Sequence, residues 1–386
     1  MKNILICCEF FYPSIGGVQK VVNELAKNFN LYGHNVTIVT SKHLKSLPFK
    51  EKLSSKLNVV RFEIKGNLIR GINGDVSKYQ NYILKSKFDY ILVYAAQQWT
   101  FDSLLPIIKK IKQNIYFAPC GFSGLKNFRY HNYFSKLPSY LSYFNTNILH
   151  TKTYRDAIFY RNNNIKNKVL IPNAAGSEFN KKFNKDFFPR YKINSNSINI
   201  LNVSNYRFAK GQDLSIIIFF FLNIRKKLNL IFIGHDTSSK IYFLYLLFLK
   251  KITEFLFKNK KIYFLKKVSR KDILSAYSNS DIFIFTSRIE CSPLVIFEAA
   301  ASGLPFISLN VGNVNEISRW TQAGNAHNGI FKLLNALKEL INNKKKLNYL
   351  SARGISSYKK KFNWKKISKK YLMIFNKFKK QHVHKY

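Results

Sequence analysis

Residues 281–303 read DIFIFTSRIECSPLVIFEAAASG and place an apolar strand, a polar loop and a helix in immediate succession. Ser292 is a good N-cap, Pro293 suits the first helical position, and Gly303 suits the position just beyond a helix. We therefore predict a β-strand followed by a helix over 293–302. The first N–H groups of this helix, with the positive end of its dipole, would favour an anion.

The same alternation of strand and helix patterns extends in both directions from this segment. Strands are expected at 3–8, 35–41, 90–94, 115–118, 168–172, 198–203, 230–234, 261–265, 282–286 and 306–309. Further helices are expected at 18–32, 101–112, 213–227, 240–258, 270–277 and 364–378. Strands that alternate with helices favour parallel sheets, and ligands of such sheets bind beyond the carboxyl ends of the strands.

The fold class predicted from this order is α/β, with two doubly wound Rossmann-like domains that face each other across a cleft. We expect an N-terminal domain over 1–172, a linker over 173–197 and a second domain over 198–360. A C-terminal helix within 361–386 is expected to pack back toward the N-terminal domain.

The composition restricts the classes of protein that this chain can be. Its 386 residues include 64 Lys and Arg against 19 Asp and Glu, a formal net charge of +45, and 16% aromatic residues. So many aromatic residues exclude a mainly disordered chain. The charge favours polyanionic partners such as nucleic acid, anionic lipid or nucleotide phosphates. An AT-rich coding sequence would enrich lysine in the same way, and composition does not separate the two causes.

Cysteines and apolar runs indicate a reduced, soluble or peripheral protein. None of the four cysteines forms a CxxC pair, so neither a disulfide framework nor a zinc site is expected. The N-terminal apolar stretch is too short for a secretion signal. The longest apolar runs, Ile216–Leu222 and Ile241–Leu249, are far shorter than a membrane-spanning helix.

Two acidic residues flank the predicted anion site. Glu290 lies in the loop before the helix, and Glu298 lies five residues after Pro293, about 7.5 Å along the helix axis. A carboxylate at either position could accept hydrogen bonds from a sugar or ribose diol. The alternative is that Glu298 is an ordinary surface residue of an amphipathic helix.

The pair Glu290 and Glu298, within SPLVIFEAAASGLPFI, resembles the signature of the family 4 (group 1) glycosyltransferases. Four further segments resemble the same family and occur in its order along the whole chain. They are FYPSIGGVQKVVNELAKNFNLYGHNVTIVTS (11–41), IPNAAGSEF (171–179), NVSNYRFAKGQD (202–213) and FNWKKISKKY (362–371). Members of this family are retaining enzymes with the two-domain GT-B fold.

The resemblance implies a role for each matching residue. Arg207 and Lys210 would hold the donor diphosphate, Glu290 the transferred sugar and Glu298 the ribose. The remaining candidates for donor binding are Gly16, Gly17, Cys291, Ser292, Pro293, Leu294 and Val295. Candidates for the acceptor side or its loops are Cys120, Gly121 and Asn173. The chain departs from the family by having Cys120 where a His is frequent and Ala174 after Pro172-Asn173.

The activity implied is metal-independent hexosyl transfer with retention, and no Asp-x-Asp sequence supports the metal-dependent type. The donor would be a UDP- or GDP-linked sugar, with no other cofactor. The acceptor would be a saccharide or lipid-linked saccharide in the synthesis of cell-surface polysaccharide such as lipopolysaccharide or capsule. No enzymic nucleophile is evident near Glu290, so our working mechanism is front-face attack by the acceptor hydroxyl, assisted by the leaving phosphate. Two alternatives remain: a catalytically silent partner that binds polyanions or membrane, and a sugar-nucleotide epimerase.

The expected location is the cytoplasm, either free or peripheral on the inner face of the cytoplasmic membrane, without a nucleic-acid partner. The predicted lipid contact is an N-terminal segment that interleaves aromatic and basic residues. Its members are Phe122, Lys126, Phe128, Arg129, Tyr130, Tyr133 and Lys136. The alternative is that 122–136 is only an acceptor-side loop.

Overall fold

The computed structural model describes residues 1–184, 186–235 and 239–377. They form two compact units. Unit 1 comprises Met1–Asn173 and the segment that begins at Trp364, and unit 2 comprises Ala174–Asn363.

Unit 1 contains a mostly parallel sheet flanked by helices. The strands of unit 1 are β1 (Asn3–Cys7), β2 (Asn35–Ser41), β3 (Lys50–Ser54), β4 (Leu57–Phe62), β5 (Lys65–Asn67), β6 (Gly71–Asn73), β7 (Tyr90–Tyr94), β8 (Asn114–Ala118), β9 (Thr146–Leu149) and β10 (Lys168–Leu170). Of these, β5 and β6 pair antiparallel in a separate two-stranded sheet. The first helices of unit 1 are α1 (Gly17–Leu31), α2 (Val76–Lys85), α3 (Trp99–Asp102), α4 (His131–Leu141) and α5 (Arg155–Asn162). Two 3₁₀ helices lie at Leu105–Lys110 and Phe128–Tyr130.

The large sheet of unit 1 has the strand order β10-β9-β8-β7-β1-β2-β4-β3. All neighbours are parallel except β3, which pairs antiparallel with β4. The central strand β7 is buried along its whole length, as an uninterrupted apolar run in a sheet covered on both faces should be. From β1 the chain builds the sheet on one side through β2, β4 and β3, and it later builds the other side from β7 to β10. The topological switch point therefore lies between β1 and β7.

The single helix predicted over 101–112 is wrong. In its place α3 ends at Asp102 and a 3₁₀ helix covers Leu105–Lys110. Pro106 explains the break, because proline has no N–H to continue an α-helical ladder and sits here in the first turn of the 3₁₀ helix.

Unit 2 contains a second sheet, in which every pair of neighbouring strands is parallel. Its strands are β11 (Ile198–Val203), β12 (Leu228–Ile233), β13 (Lys260–Leu265), β14 (Ile282–Phe285), β15 (Phe306–Leu309) and β16 (Gly324–His327). Its helices are α6 (Phe187–Arg190), α7 (Gln212–Phe221), α8 (Lys240–Leu256), α9 (Arg270–Asn279), α10 (Leu294–Ala301), α11 (Val314–Thr321), α12 (Ile330–Asn342) and α13 (Lys344–Lys360). Two 3₁₀ helices lie at Ser177–Asn180 and Phe208–Lys210.

The strand order of unit 2, β13-β12-β11-β14-β15-β16, fixes where a ligand site is expected. The chain builds from β11 toward β13 on one side and from β14 toward β16 on the other. The switch point is therefore between β11 and β14, and the loops at their carboxyl ends form a crevice there.

The predicted linker, 173–197, contributes to the core of unit 2. Phe179, Phe187 and Phe188 are fully buried in that core, and Ala175 N donates to Phe362 O at 3.1 Å. Two four-residue helices hold these aromatic rings, and helices this short leave no visible period in the sequence.

The C-terminal helix α14 (Trp364–Lys377) belongs to unit 1. Its Phe375 ring lies 5.8 Å from the ring of Phe29 on α1 and 4.4 Å from that of Tyr116 on β8. Residues 378–386, the remainder of the predicted C-terminal segment, lie outside the described residues.

The aromatic residues predicted to contact lipid at 122–136 are mostly in the core. Phe122, Tyr130 and Tyr133 are buried, and only Phe128 is exposed. Phe122 packs against Phe134 with ring centroids 5.2 Å apart, while the Tyr133 hydroxyl donates to Asp102 Oδ1 at 2.8 Å. An interleaved surface stripe is therefore wrong, because these rings fill the space beside the sheet. Across the described ranges, no helix combines the length and apolar character needed to cross a membrane.

Candidate functional site

The loop after β11 carries the two predicted phosphate-binding cations. Arg207 is the exposed residue before the 3₁₀ helix Phe208–Lys210. Gly211 follows in the left-handed conformation with φ +63°, and α7 begins at Gln212. A Cβ on Gly211 would overlap the carbonyl oxygen of Thr286, so the turn needs glycine for both conformation and space.

The loop after β14 is tied to this turn by side chains as well as backbone. Arg288 forms a bidentate ion pair with Asp213, with distances of 2.9 Å (Nη1–Oδ1) and 2.6 Å (Nη2–Oδ2). The Arg288 N–H donates to Ala209 O at 2.8 Å, and Thr286 Oγ1 donates to Gly211 O at 2.6 Å. The two loops of the switch point are thus fixed against each other, and bidentate pairing makes the geometry specific.

Lys210 and Glu290 form an ion pair across the switch point of unit 2. Lys210 Nζ lies 2.6 Å from Glu290 Oε1, with the lysine side chain 30% and the glutamate side chain 14% exposed. The structure therefore brings together the cation predicted for the diphosphate and the carboxylate predicted for the sugar. A partly desolvated pair of this kind interacts more strongly than one in open solvent.

Helix α10 begins one residue later than the sequence pattern predicts. Pro293 occupies the N-cap with extended backbone (φ −69°, ψ 120°), so Ser292 precedes the cap and the prediction of Ser292 as N-cap is wrong. Leu294 and Val295 are the first helical residues, and their N–H groups have no carbonyl four residues earlier within the helix. Gly303 stands at the predicted stop with φ +70°.

Cys291 lies in the loop directly before this helix and is held against the β15–α11 loop. Asn313 N donates to Cys291 O at 2.9 Å. Gly312 has φ +59°, and a Cβ there would lie 2.7 Å from Cys291 O and 2.9 Å from Glu290 O. A glycine is therefore required where the two loops approach.

Glu298 lies on the buried face of α10. It is 4% exposed, and its Oε2 accepts a hydrogen bond from the Tyr277 hydroxyl at 3.3 Å. The alternative of a surface residue on an amphipathic helix is therefore wrong. Replacement by alanine would leave Tyr277 without this acceptor in the core, whereas glutamine keeps a carbonyl oxygen there. Whether Glu298 binds a ribose stays a prediction.

The donor-binding glycines predicted in unit 1 lie at its own switch point. Gly16 precedes α1 in extended backbone, which any residue adopts, and a Cβ there would meet only the movable amide end of the Gln19 side chain, at 2.5 Å. A Cβ on Gly17 would meet nothing within 4 Å. The packing of unit 1 therefore requires glycine at neither position, and their role beside a phosphate stays a prediction.

The acceptor-side candidates lie in other loops of unit 1. Cys120 and Gly121 both have positive φ, and Gly121 N donates to Asp156 Oδ2 at 2.9 Å. Burial raises the pKa of the Cys120 thiol to about 12, which argues against a thiolate nucleophile at neutral pH. Asn173 is buried just beyond β10.

Residues 183–357 match the family model described as Glycosyl transferases group 1. This matched segment, somewhat less than half of the chain, is similar to the group 1 glycosyltransferases. The match lies within unit 2 and includes Arg207, Lys210, Glu290 and Glu298.

Known proteins resemble the rest of the chain as well. One component of human phosphatidylinositol N-acetylglucosaminyltransferase is 26% identical over 343 residues, which cover 82% of this chain. The chain spans only 63% of the length of that human protein.

Solved structures show that the chain has a GT-B fold with two Rossmann-like units. Sucrose-phosphate synthase from Thermosynechococcus elongatus matches with a TM-score of 0.80 and 15% identity, covering 98% of this chain and 99% of that chain. Anabaena Alr3699/HepE in complex with UDP matches with a TM-score of 0.73 and 15% identity, covering 98% and 100%. At these identities the likeness shows the fold alone.

Two residues that the sequence pattern did not single out complete the candidate site of unit 2. Asp213 and Arg288 join the loops that carry Lys210 and Glu290, yet they are 75 positions apart in sequence. Asp213 belongs to the quoted KGQD segment and is one of few acidic residues in a basic chain. The scarcity of acidic residues could have marked Asp213 as a candidate site residue. Arg288 is one basic residue among many, so the sequence gives no comparable indication for it.

Metal ligands were not expected from the sequence. Within residues 1–184, 186–235 and 239–377, no group of three or more His, Cys, Asp and Glu side chains is arranged to hold a metal ion.

Unit 1 contains two acidic groups with raised pKa values near its switch point. Burial, and then repulsion from Asp102, raise the pKa of Glu9 to about 7. Burial raises the pKa of Asp102 to about 6, although hydrogen bonds from Leu68 N and the Tyr133 hydroxyl oppose the shift. Glu9 lies in the loop after β1, two residues beyond its last residue Cys7, and its N–H donates to Gln98 Oε1 at 3.1 Å.

We expect Glu9→Gln to change how the stability of unit 1 depends on pH. Because the folded state has the higher Glu9 pKa, it binds more protons than the unfolded state between the unfolded pKa and about pH 7. The free energy of unfolding of the wild type should therefore fall as pH rises through this window. The free energy of unfolding of the glutamine variant should fall less over the same window. Urea unfolding at pH 4.5, 6 and 7.5 measures the difference between the two proteins.

Glu63→Gln is the control, because the pKa of Glu63 is shifted in the opposite direction from that of Glu9. A hydrogen bond from Lys42 lowers the pKa of exposed Glu63, so this variant should lose a small amount of stability at the higher pH values. Equal pH dependence in the wild type and Glu9→Gln would contradict the raised pKa of Glu9.

Proposed function

We propose that this chain transfers a hexosyl group from a UDP- or GDP-linked sugar to a saccharide hydroxyl, with retention of anomeric configuration. The observation that carries the proposal is the Lys210–Glu290 ion pair, at the switch point of unit 2 and in the loop that leads into α10. A fixed cation beside a carboxylate matches a reacting centre where a sugar carries partial positive charge and its leaving group is a diphosphate.

In the proposed reaction the bond from the anomeric carbon to the phosphate oxygen breaks as the acceptor oxygen attacks from the same face. The acceptor proton passes to the departing phosphate oxygen, so the products are the glycoside and a nucleoside diphosphate. Lys210 and Arg207 stabilise the negative charge on the diphosphate. Glu290 binds hydroxyls of the transferred sugar and keeps the ammonium group of Lys210 in place before the diphosphate competes for it.

The rest of the donor is assigned to α10 and its preceding loop. The N–H groups of Leu294 and Val295 lie at the anion-binding end of the helix dipole, and Glu298 is assigned to the ribose. The Anabaena protein was solved in complexes with UDP and with UDP-glucose, which supports a uridine nucleotide over a guanosine one.

The acceptor is assigned to unit 1, with Gly16, Gly17, Cys120, Gly121 and Asn173 as the candidate contacts. The human relative is named as part of a phosphatidylinositol N-acetylglucosaminyltransferase, and this name supports a lipid-linked acceptor. We place the reaction in the assembly of cell-surface polysaccharide at the inner face of the cytoplasmic membrane.

Release of UDP or GDP from a panel of nucleotide sugars, with and without EDTA, tests the reaction. We expect release from at least one donor, equal rates in EDTA, and a product whose anomeric configuration matches the donor by NMR. An EDTA-dependent loss that added metal restores would contradict the metal-independent assignment, and an inverted product would contradict retention.

The same panel separates the alternatives. A silent binding partner would bind nucleotide sugar without releasing nucleoside diphosphate at any acceptor. An epimerase would change the donor sugar without an acceptor. Either result would replace the transfer reaction proposed above.

A further inference from the structure

Helix α8 carries an exposed row of apolar side chains along its whole length. Six of its residues are between 42% and 81% exposed. They are Ile241, Leu244, Tyr245, Phe248, Phe255 and Leu256. At 3.6 residues per turn, these positions fall within an arc of about 120°, so they form one continuous face, which we call the α8 apolar face.

This face is not the one that attaches α8 to unit 2. Tyr242, Leu246 and Thr253 are the buried residues of the helix. The Tyr242 hydroxyl donates to Asp213 Oδ1 at 2.8 Å. Since packing is achieved by a different side of the helix, centred about 120° from the exposed face, the fold does not use the α8 apolar face. A contiguous apolar patch of this kind marks an interaction site.

Basic residues border the α8 apolar face. Lys240 and Lys251 are exposed and lie eleven positions apart, about three helical turns, on the same flank. At the other end, the Lys258 ammonium lies 5.7 Å from the centre of the Phe255 ring. The one acidic residue of α8, Glu254, accepts from Ile262 N at 2.7 Å and lies 3.8 Å from Lys250.

The C-terminal end of α7 lies beside that of α8 and carries a further exposed aromatic residue. Its last residue, Phe221, is 62% exposed. The centroid of the Phe220 ring lies 5.1 Å from that of Phe221 and 5.2 Å from that of Phe257. The C-terminal ends of α7 and α8 are therefore adjacent. Arg225 and Lys227, which follow α7, are exposed.

We infer that the α8 apolar face, with its basic border and Phe221, binds the headgroup layer of an anionic lipid bilayer. Apolar and aromatic side chains would enter the headgroup boundary while the flanking lysines contact lipid phosphates. A second copy of this chain fits poorly, because two surfaces from chains of net charge +45 repel. The inference does not depend on the transfer reaction.

Vesicle sedimentation of the full chain tests the inference, with phosphatidylcholine vesicles that contain about 30% phosphatidylserine and with pure phosphatidylcholine vesicles. We expect the wild type to bind the anionic vesicles. Binding should weaken as rising salt shortens the Debye length, but a remainder of the binding should persist at high salt. The double variant L244S/F248S should lower the partition coefficient at least tenfold and abolish that remainder. The variant K240Q/K251Q should weaken mainly the salt-sensitive part.

Two matched variants serve as controls. The double variant L31S/F331S removes two exposed apolar residues outside the face and should leave binding within twofold of the wild type. The variant K126Q/F128S/R129Q tests the N-terminal segment and should lower binding only slightly. Equal melting temperatures would show that the serine variants are folded.

Three results would overturn the inference. They are failure of the wild type to bind anionic vesicles, unchanged binding by L244S/F248S, and loss of binding only in K126Q/F128S/R129Q. A dimer of the wild type that L244S/F248S abolishes, without vesicle binding, would assign the face to a second copy instead.

Discussion

Replacing Lys210 with methionine is expected to lower kcat/KM for the donor by about 10²- to 10³-fold, the usual cost of removing one fixed group that stabilises transition-state charge. Methionine keeps most of the length and apolar stem of lysine but removes the ammonium group that lies 2.6 Å from Glu290. Initial rates of nucleoside diphosphate release measure the change. Lys210→Arg should recover part of the activity because it restores a cation.

The ion pair of Lys346 with Glu339 provides the matched control. It has nearly the same length, 2.7 Å, and lies in unit 2, but its residues belong to α12 and α13 rather than to the loops of the switch point. Lys346→Met should therefore leave kcat/KM unchanged within a factor of two. Equal losses in the two methionine variants would show that the effect of Lys210 is a general effect of charge.

Gly211→Ala is expected to destabilise unit 2 by about 3 kcal/mol or more. The left-handed backbone at φ +63° costs a residue with a Cβ about 1–2 kcal/mol. The new Cβ would also overlap the Thr286 carbonyl. Relief of that overlap must separate the Lys210 turn from the loop after β14. Denaturant unfolding gives the loss of stability, and activity should fall with it.

Gly303→Ala separates the cost of the left-handed backbone from the cost of the steric overlap. Gly303 has a similar φ of +70°, but a Cβ there would meet the ends of the Ile355 and Ser351 side chains at 2.9 Å, which can move. The alanine variant at 303 should therefore cost about 1–2 kcal/mol, close to the conformational cost alone. If Gly211→Ala is no more destabilising than Gly303→Ala, the close approach of the two loops is not rigid.

Strands and helices with a strong period were predictable from the sequence. β2, β7 and β15 have the predicted bounds, and α1 is displaced by only one residue at each end. Buried parallel strands are apolar throughout, and amphipathic helices repeat every three to four residues. By contrast, β3 is the edge strand KEKLS and is largely exposed, so it has no apolar pattern to detect.

The candidate site was only partly predictable. The switch point of a doubly wound sheet follows from strand order, and the resemblance supplied Lys210 and Glu290. The pairing of Asp213 with Arg288 could be recognised only from the three-dimensional positions of the two loops. The burial of Glu298 follows from which face of α10 meets Tyr277, and a helix with apolar residues on nearly all sides, LVIFEAAA, does not reveal that face.

The segment 122–136 shows the same limit for surfaces. Its alternation of aromatic and basic residues is equally compatible with a lipid-facing loop and with rings that turn inward beside a sheet. Only the packing of Phe122 and the Tyr133–Asp102 hydrogen bond distinguish the two. In α8, conversely, apolar residues lie on nearly every side of the helix, and the exposure of one face became evident only in the fold.

The central claim is that the switch point of unit 2 binds the nucleoside diphosphate of the donor. Calorimetric titration of UDP and GDP into the wild type, Lys210→Met, Glu298→Gln and the controls Lys346→Met and Glu339→Gln tests it most directly. The account predicts one site per chain for one of the two nucleotides, at least tenfold weaker in Lys210→Met and Glu298→Gln and unchanged in both controls. No binding of either nucleotide to the wild type, or equal affinity in all five proteins, would contradict it.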